Sequence, residues 1–378
     1  MFVQTPPMGW NSWNTFGHDI NEKVVLETAD AMVELGLDRL GYKYVVIDDC
    51  WAKKERDPVT GRLVPDPEKF PHGMKYVADY IHSKGLLFGM YTCVGVLTCG
   101  MYPGSYGHEF IDAQTFADFE VDYLKVDYCA KPATAEGSQL YLKMGMALRA
   151  TGRDIVYSIC NWGRHDVHHW ARSVGGHLYR STEDICDCFS AVNGIAMSQE
   201  GNLCYSAPGC FNDLDMLTVG MAGRGLVSTT QYSIKEYRTQ FALWSLFGSP
   251  LMLGCDIRNL DEETLALIKN ETLIRINQDP DYRAPIRLQA IKICFQDKPV
   301  YFRVLSDNEY AIGLFNTTDD DGVVALFFAE LGITPECGYA FEVTDAFTGE
   351  NLGVYDEFFM RELEARSCGV YTARLVKK

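Results

Sequence analysis

Between residues 6 and 270 the chain repeats one pattern: a short apolar run, an abrupt polar or acidic end, then a stretch of helical periodicity. The runs fall at 6–13, 44–47, 86–91, 121–127, 154–159, 177–180, 211–216 and 250–253. Helical stretches fall at 22–35, 74–84, 112–120, 136–150, 187–199, 234–247 and 261–270. Hairpin turns are mostly missing between the runs, which predicts parallel strands joined by right-handed crossovers. Eight such units in about 280 residues fit a closed (β/α)8 barrel. A doubly wound open sheet is the alternative. No Gly-rich phosphate fingerprint follows the first run, however, which argues against a nucleotide site.

The texture changes after Asn277-Gln278-Asp279-Pro280. Short runs at 300–304, 310–316, 322–329, 340–345, 350–355 and 369–375, separated by turn residues, read as antiparallel strands. The expected fold class is therefore α/β: a TIM barrel over 1–280, followed by a C-terminal antiparallel β-sandwich over 281–378.

In such a barrel the loops after the strands share one face, and chemistry gathers there. Lys125 and Asp127 end the fourth run two residues apart, so they share a strand face. A structural ion pair would explain that stretch by itself. The recurrence is harder to dismiss: Asp48, Asp49, Asp127, Asp184, Asp213 and Asp215 all stand at strand ends, and each buried carboxylate is costly. Trp13, Tyr91, Asn161, Trp162 and Arg180 join them. Aromatic faces with many acceptors suit a neutral polyhydroxylated ligand, and paired carboxyls of unlike environment suit glycosidic cleavage.

Other classes fit less well. A net charge of −17 argues against nucleic acid or an anionic membrane as partner. No apolar run reaches the ~18 residues of a membrane span. The N-terminal segment MFVQTPPMGWNSW has neither a basic nor an apolar signal region, so a cytoplasmic protein is expected. Thirteen cysteines show no zinc spacing, and His165, His168 and His169 have no acidic partner at a ligand offset. No metal and no cofactor is expected. A homo-oligomer is compatible with the sequence.

PPMGWNSW, IDDCW, KVDYC, the Arg180–Asp184 stretch and NDLDM resemble glycoside hydrolase family 27, the α-galactosidases and α-N-acetylgalactosaminidases of clan D. The resemblance runs from Thr5 past Asp279. It implies a retaining exo-glycosidase acting on terminal α-galactose, with Asp127 as nucleophile and Asp184 as acid/base. By the same resemblance Asp48, Asp49, Lys125, Arg180 and Asp215 hold the sugar hydroxyls. Trp13 and Tyr91 supply aromatic contacts, and Cys99 and Cys129 are a pair flanking the site. Lys125 and Arg180 are expected to keep Asp127 ionised, and Glu183 or Asp215 to raise the pKa of Asp184.

Three positions depart from the family pattern. Asn161 stands where many members carry Glu facing the 2-position of the sugar, Cys93 replaces a common Asp, and His18 replaces a cysteine. Asn161 with Trp162 favours a free 2-hydroxyl. α-N-Acetylgalactosaminidase and β-L-arabinopyranosidase are the alternatives within the family, and an inactive sugar-binding protein is the alternative outside the enzymes.

Overall fold

The computed structural model describes residues 3–228, 233–288 and 298–378. Eight strands form one parallel sheet: β1 (Met8–Asn11), β2 (Tyr44–Val46), β3 (Leu87–Cys93), β4 (Tyr123–Asp127), β5 (Val156–Cys160), β6 (Leu178–Arg180), β7 (Phe211–Asp213) and β8 (Leu251–Leu253). From β1 to β7 each pairs with its neighbour in sequence, and β8 pairs with β1. A parallel bridge between Leu217, just past β7, and Leu253 of β8 closes the ring. The barrel and not the open sheet is formed.

Side chains alternate along each strand. Outward residues such as Trp10, Val45, Leu124, Tyr157, Ile159 and Tyr179 are buried in one apolar core with the surrounding helices. Inward residues Val46, Tyr123, Val156, Leu178, Phe211 and Met252 form a separate core plugging the barrel. Two residues further along, the inward positions turn polar: Asp48, Lys125, Ser158, Arg180 and Asp213. The apolar plug is thus the floor on which a polar site stands.

The helices are α1 (Trp13–Phe16), α2 (Glu22–Glu34), α3 (Gly73–Ser83), α4 (Glu109–Asp118), α5 (Gly137–Ala150), α6 (Val167–Trp170), α7 (Phe189–Ser198) and α8 (Ile234–Phe247); all but the single turns α1 and α6 fall on the stretches of helical periodicity. Asn21 caps α2 by accepting from Val24 N–H. The stretch expected at 261–270 is α9 (Glu262–Ile268), and a further helix that was not expected, α10 (Glu271–Asn277), follows it, started by Asn270, which accepts from Leu273 N–H.

Beyond them lie β9 (Ile286–Leu288), β10 (Val300–Val304), β11 (Glu309–Asn316), β12 (Gly322–Phe327), β13 (Tyr339–Asp345), β14 (Asn351–Tyr355), β15 (Phe358–Leu363) and β16 (Ser367–Lys377). They pair antiparallel in two sheets, ordered β14-β13-β16-β11-β10-β9 and β12-β15, over a core that includes Phe302, Ile312, Leu326, Phe341 and Phe359. β9 and β15 were not expected. β15 alternates buried Phe359 with exposed Met360, but its apolar opening Phe358-Phe359-Met360 hides the period.

Helix α8 joins the two parts. A capping box of Ser233 and Glu236 starts it. At its other end, buried Arg303 of β10 donates through Nη1 to the carbonyls of Ser245 (3.2 Å) and Leu246 (3.0 Å). The same guanidinium stacks over Tyr282 at 5.0 Å.

Candidate active site

The parallel register sets Cys93, Asp127, Cys160, Arg180 and Asp213 side by side across β3 to β7. One inward layer below, Tyr91, Lys125 and Ser158 are also level. A cavity of about 100 Å³ opens above these layers at the C-terminal ends of the strands. Of the residues expected at the strand ends, Asn161, Trp162 and Asp213 do not line it, and the sugar-contact and catalytic residues otherwise expected all do.

Asp127 is buried, with Tyr91 Oη donating to its Oδ2 (2.9 Å) and Tyr128 N–H to its Oδ1 (2.8 Å). Lys125 Nζ points to Asp48 Oδ2 at 2.8 Å, which also accepts from Asn11 Nδ2 at 2.8 Å. Asp49 turns away from the lysine and accepts from Gly100 N–H (2.7 Å) and Cys50 N–H (2.7 Å). It thereby ties the loop after β3 to β2. Cys99, in that loop, is disulfide-bonded to Cys129, with Cα atoms 5.5 Å apart.

On the opposite wall Arg180 Nη2 bridges two carboxylates, Asp184 at 2.5 Å and Asp215 at 3.0 Å. Arg180 is 4% exposed and Asp184 is 78% exposed, so the acid stands at the mouth and its partner at the base. Asp215 sits in the left-handed region at φ 79°, a strained place for a non-glycine residue. Its Oδ2 accepts from Ile185 N–H at 2.8 Å, fixing the loop that carries Asp184.

The electrostatics reverse part of the expectation. Burial pushes the carboxyl of Asp127 up to about 6, and the charge of Lys125 only partly opposes this. For Asp184, partial desolvation acts upward, but the charge and hydrogen bond of Arg180 outweigh it and hold the carboxyl below its ordinary value. Glu183 does not raise it, since Glu183 pairs with Arg164 on an exposed surface. Asp215 is itself neutralised by Arg180. Asp127 is therefore the more basic of the two carboxyls and Asp184 the more acidic.

Asn161 is fully buried, and its Nδ2 donates to the Arg164 carbonyl at 2.6 Å. Trp162, at φ 57°, packs edge-on against Tyr128 with centroids 6.1 Å apart. Neither reaches the cavity; the wall that β5 contributes is Cys160, level with Asp127. Counting inward positions from Val156 through Ser158 would have found it. Asn14, Ile185, Met216 and Val227 also line the cavity, and nothing in their local sequence marks them. Away from the cavity, His168 and His169 pack their rings around Tyr205.

Residues 5–279 match the family described as "Alpha galactosidase A", and residues 296–373 match "Alpha galactosidase C-terminal beta sandwich domain". The chain belongs to the α-galactosidase family. It is a glycoside hydrolase of family 27, similar to the α-galactosidase of Cyamopsis tetragonoloba at 42% identity over 97% of this chain and 86% of that one. Among solved structures, this α-galactosidase-family chain resembles α-galactosidase I of Mortierella vinacea, with a TM-score of 0.89 and 31% identity over 98% of this chain and 97% of that one. It also resembles the α-galactosidase of Saccharomyces cerevisiae solved with raffinose, with a TM-score of 0.88 and 26% identity over 99% and 98% of the two chains. Among the described residues no helix is long and apolar enough to cross a membrane.

Proposed function

We propose that this family member hydrolyses terminal α-linked galactose with retention of configuration, through a covalent glycosyl-enzyme intermediate. The observation that carries the reading is that Asp127 and Asp184 face one cavity, each beside a cation. The carboxylate of Asp127 attacks C1 while Asp184 gives its proton to the departing oxygen. Water then gives a proton to Asp184 and attacks C1, and the ester to Asp127 breaks. This needs the proton on Asp184, so the productive form is the minor one of the resting pair. Sugar hydroxyls that engage Arg180 and Asp215 would loosen the grip of Arg180 on Asp184.

The yeast relative solved with raffinose points to substrates of that class, neutral oligosaccharides ending in α-galactose. With Asn161 turned away, the small side chain of Cys160 gives a specific reason to weigh α-N-acetylgalactosaminides as the second reading. The bonded Cys99–Cys129 pair speaks for an oxidising compartment over the cytoplasm expected from the N-terminus.

Proton NMR of the first product from an aryl α-galactoside tests the mechanism: the α-anomer should appear before mutarotation, and the β-anomer first would refute retention. A parallel panel of aryl α-galactoside, α-N-acetylgalactosaminide and β-L-arabinopyranoside, compared by kcat/KM, decides the sugar.

A further inference from the structure

Asp213 is the inward carboxylate of its layer that does not line the sugar cavity. It lies on a second, small cavity of about 20 Å³, walled on one side by Tyr123, Cys160, Met216 and Met252 and on the other by the polar groups of Asn11, Lys125, Ser158, Arg180 and Asp215. That is room for one water with several polar partners. Its Oδ1 accepts the peptide N–H of Asp215 at 2.9 Å. On the other side of the same residue, the Asp215 carbonyl accepts from Trp244 Nε1 at 2.7 Å. The strained backbone of Asp215 is therefore clamped at both ends, and its carboxylate is what holds Arg180 Nη2 and Ile185 N–H.

We propose that Asp213 is a positioning residue for sugar binding: by accepting from Asp215 N–H, and through a water in the cavity below, it fixes the Asp215–Arg180 pair in the geometry that reads a galactose hydroxyl. Asp213 touches no substrate and acts through Asp215. A β7 end that only needed to finish a strand would not place an acid there, where burial in the barrel disfavours it and neighbouring Arg180 is already shared by two other carboxylates. The clamp accounts for its presence. The inference rests on the cavity being the galactoside site, and its test separates the two claims.

Aryl α-galactoside turnover by the unaltered enzyme tests the site itself. Asp213→Asn keeps an acceptor oxygen for Asp215 N–H, and Asp213→Ala removes it. With both variants folded by circular dichroism, Asp213→Ala should lose at least tenfold in kcat/KM, mostly through KM, and Asp213→Asn should recover to within about threefold of the parent. Single-deoxy galactosides supply the readout that a merely structural role would not move. For the one analogue lacking the hydroxyl read by Asp215, the gap between Asp213→Ala and the parent should close. An Asp213→Ala enzyme with parental KM would overturn the proposal, as would a loss of equal size for every deoxy analogue. If Asp213→Ala does not fold, the Asp213→Asn result on the deoxy panel decides: a loss beyond threefold spread evenly over the analogues overturns it.

Discussion

Replacing Tyr91 by Phe removes a single oxygen, the one that donates to Asp127 Oδ2 at 2.9 Å. Both groups are buried, so no bulk water takes its place. A hydrogen bond to a charged group is worth about 1.5–3 kcal/mol, and one pKa unit is about 1.4 kcal/mol. The carboxyl of Asp127, at about 6 in the intact site, should therefore rise by about 1–2 units. The productive enzyme has Asp127 ionised and Asp184 protonated, whereas the resting pair keeps its proton on Asp127. Making Asp127 more basic thus makes the productive form rarer wherever one proton is bound. Below the upper limb of the pH profile, kcat/KM should fall about 10- to 100-fold, and that limb should move from about 6 towards about 7–8. Well above the new limb, both enzymes are mainly doubly ionised. The productive fraction then depends only on Asp184, and the two curves should converge. The assay is kcat/KM for an aryl α-galactoside from pH 4 to about 9. A constant ratio across the whole range would refute the reasoning, for it would mean that Tyr91 only positions the sugar.

Burial also lifts the carboxyl of Asp213, from 3.8 to about 6, with the charge of Asp215 adding to the effect. Folded protein therefore holds this proton over a window in which unfolded protein has lost it, and stability falls as pH rises through that window, by up to about 3 kcal/mol. Asp213→Asn lacks this titration, so its Tm advantage over the parent should grow between about pH 4 and 6.5 and then level off; a pH-independent difference would contradict it. Reducing the Cys99–Cys129 bridge opens a loop with a sequence separation of 30, which should lower stability by about 3–4 kcal/mol and depress activity, since Cys99 lines the cavity. Unchanged Tm and activity in dithiothreitol would show that the bridge does not support the site.

Much of this was legible in the sequence because a barrel strand buried on both faces leaves an unbroken apolar run, and its end is marked when the inward residue turns polar. Lys125 and Asp127 could be assigned to one face by counting, and so could Cys160. The counting fails where the strand ends. Alternation makes Asn161, one residue past β5, an outward position, as found, but Trp162, the next inward one, takes a left-handed conformation and turns into the loop. The proton's place was equally hidden. The sequence shows that Lys125 and Arg180 are near two acids, but not that Lys125 pairs with Asp48 while Arg180 closes on Asp184. β15 and α10 escaped for local reasons: three adjacent apolar residues blur a period of two, and a seven-residue helix that starts directly after α9 is too short to show its own period.

The side chain of Arg303 also sets an order of events during synthesis. The last strand of the barrel ends at Leu253 and the last helix packed behind it at Asn277, yet the carbonyls at the end of α8 wait for a guanidinium encoded later, at position 303. A nascent chain with all eight barrel strands outside the ribosome has α8 closed by Gly248 but still lacks the Arg303 donors at its last carbonyls, and the face that α8 turns towards β11 and β16 is bare. The catalytic half is thus finished by the other half, and a chain cut between them should emerge as an aggregating barrel and not as a smaller enzyme.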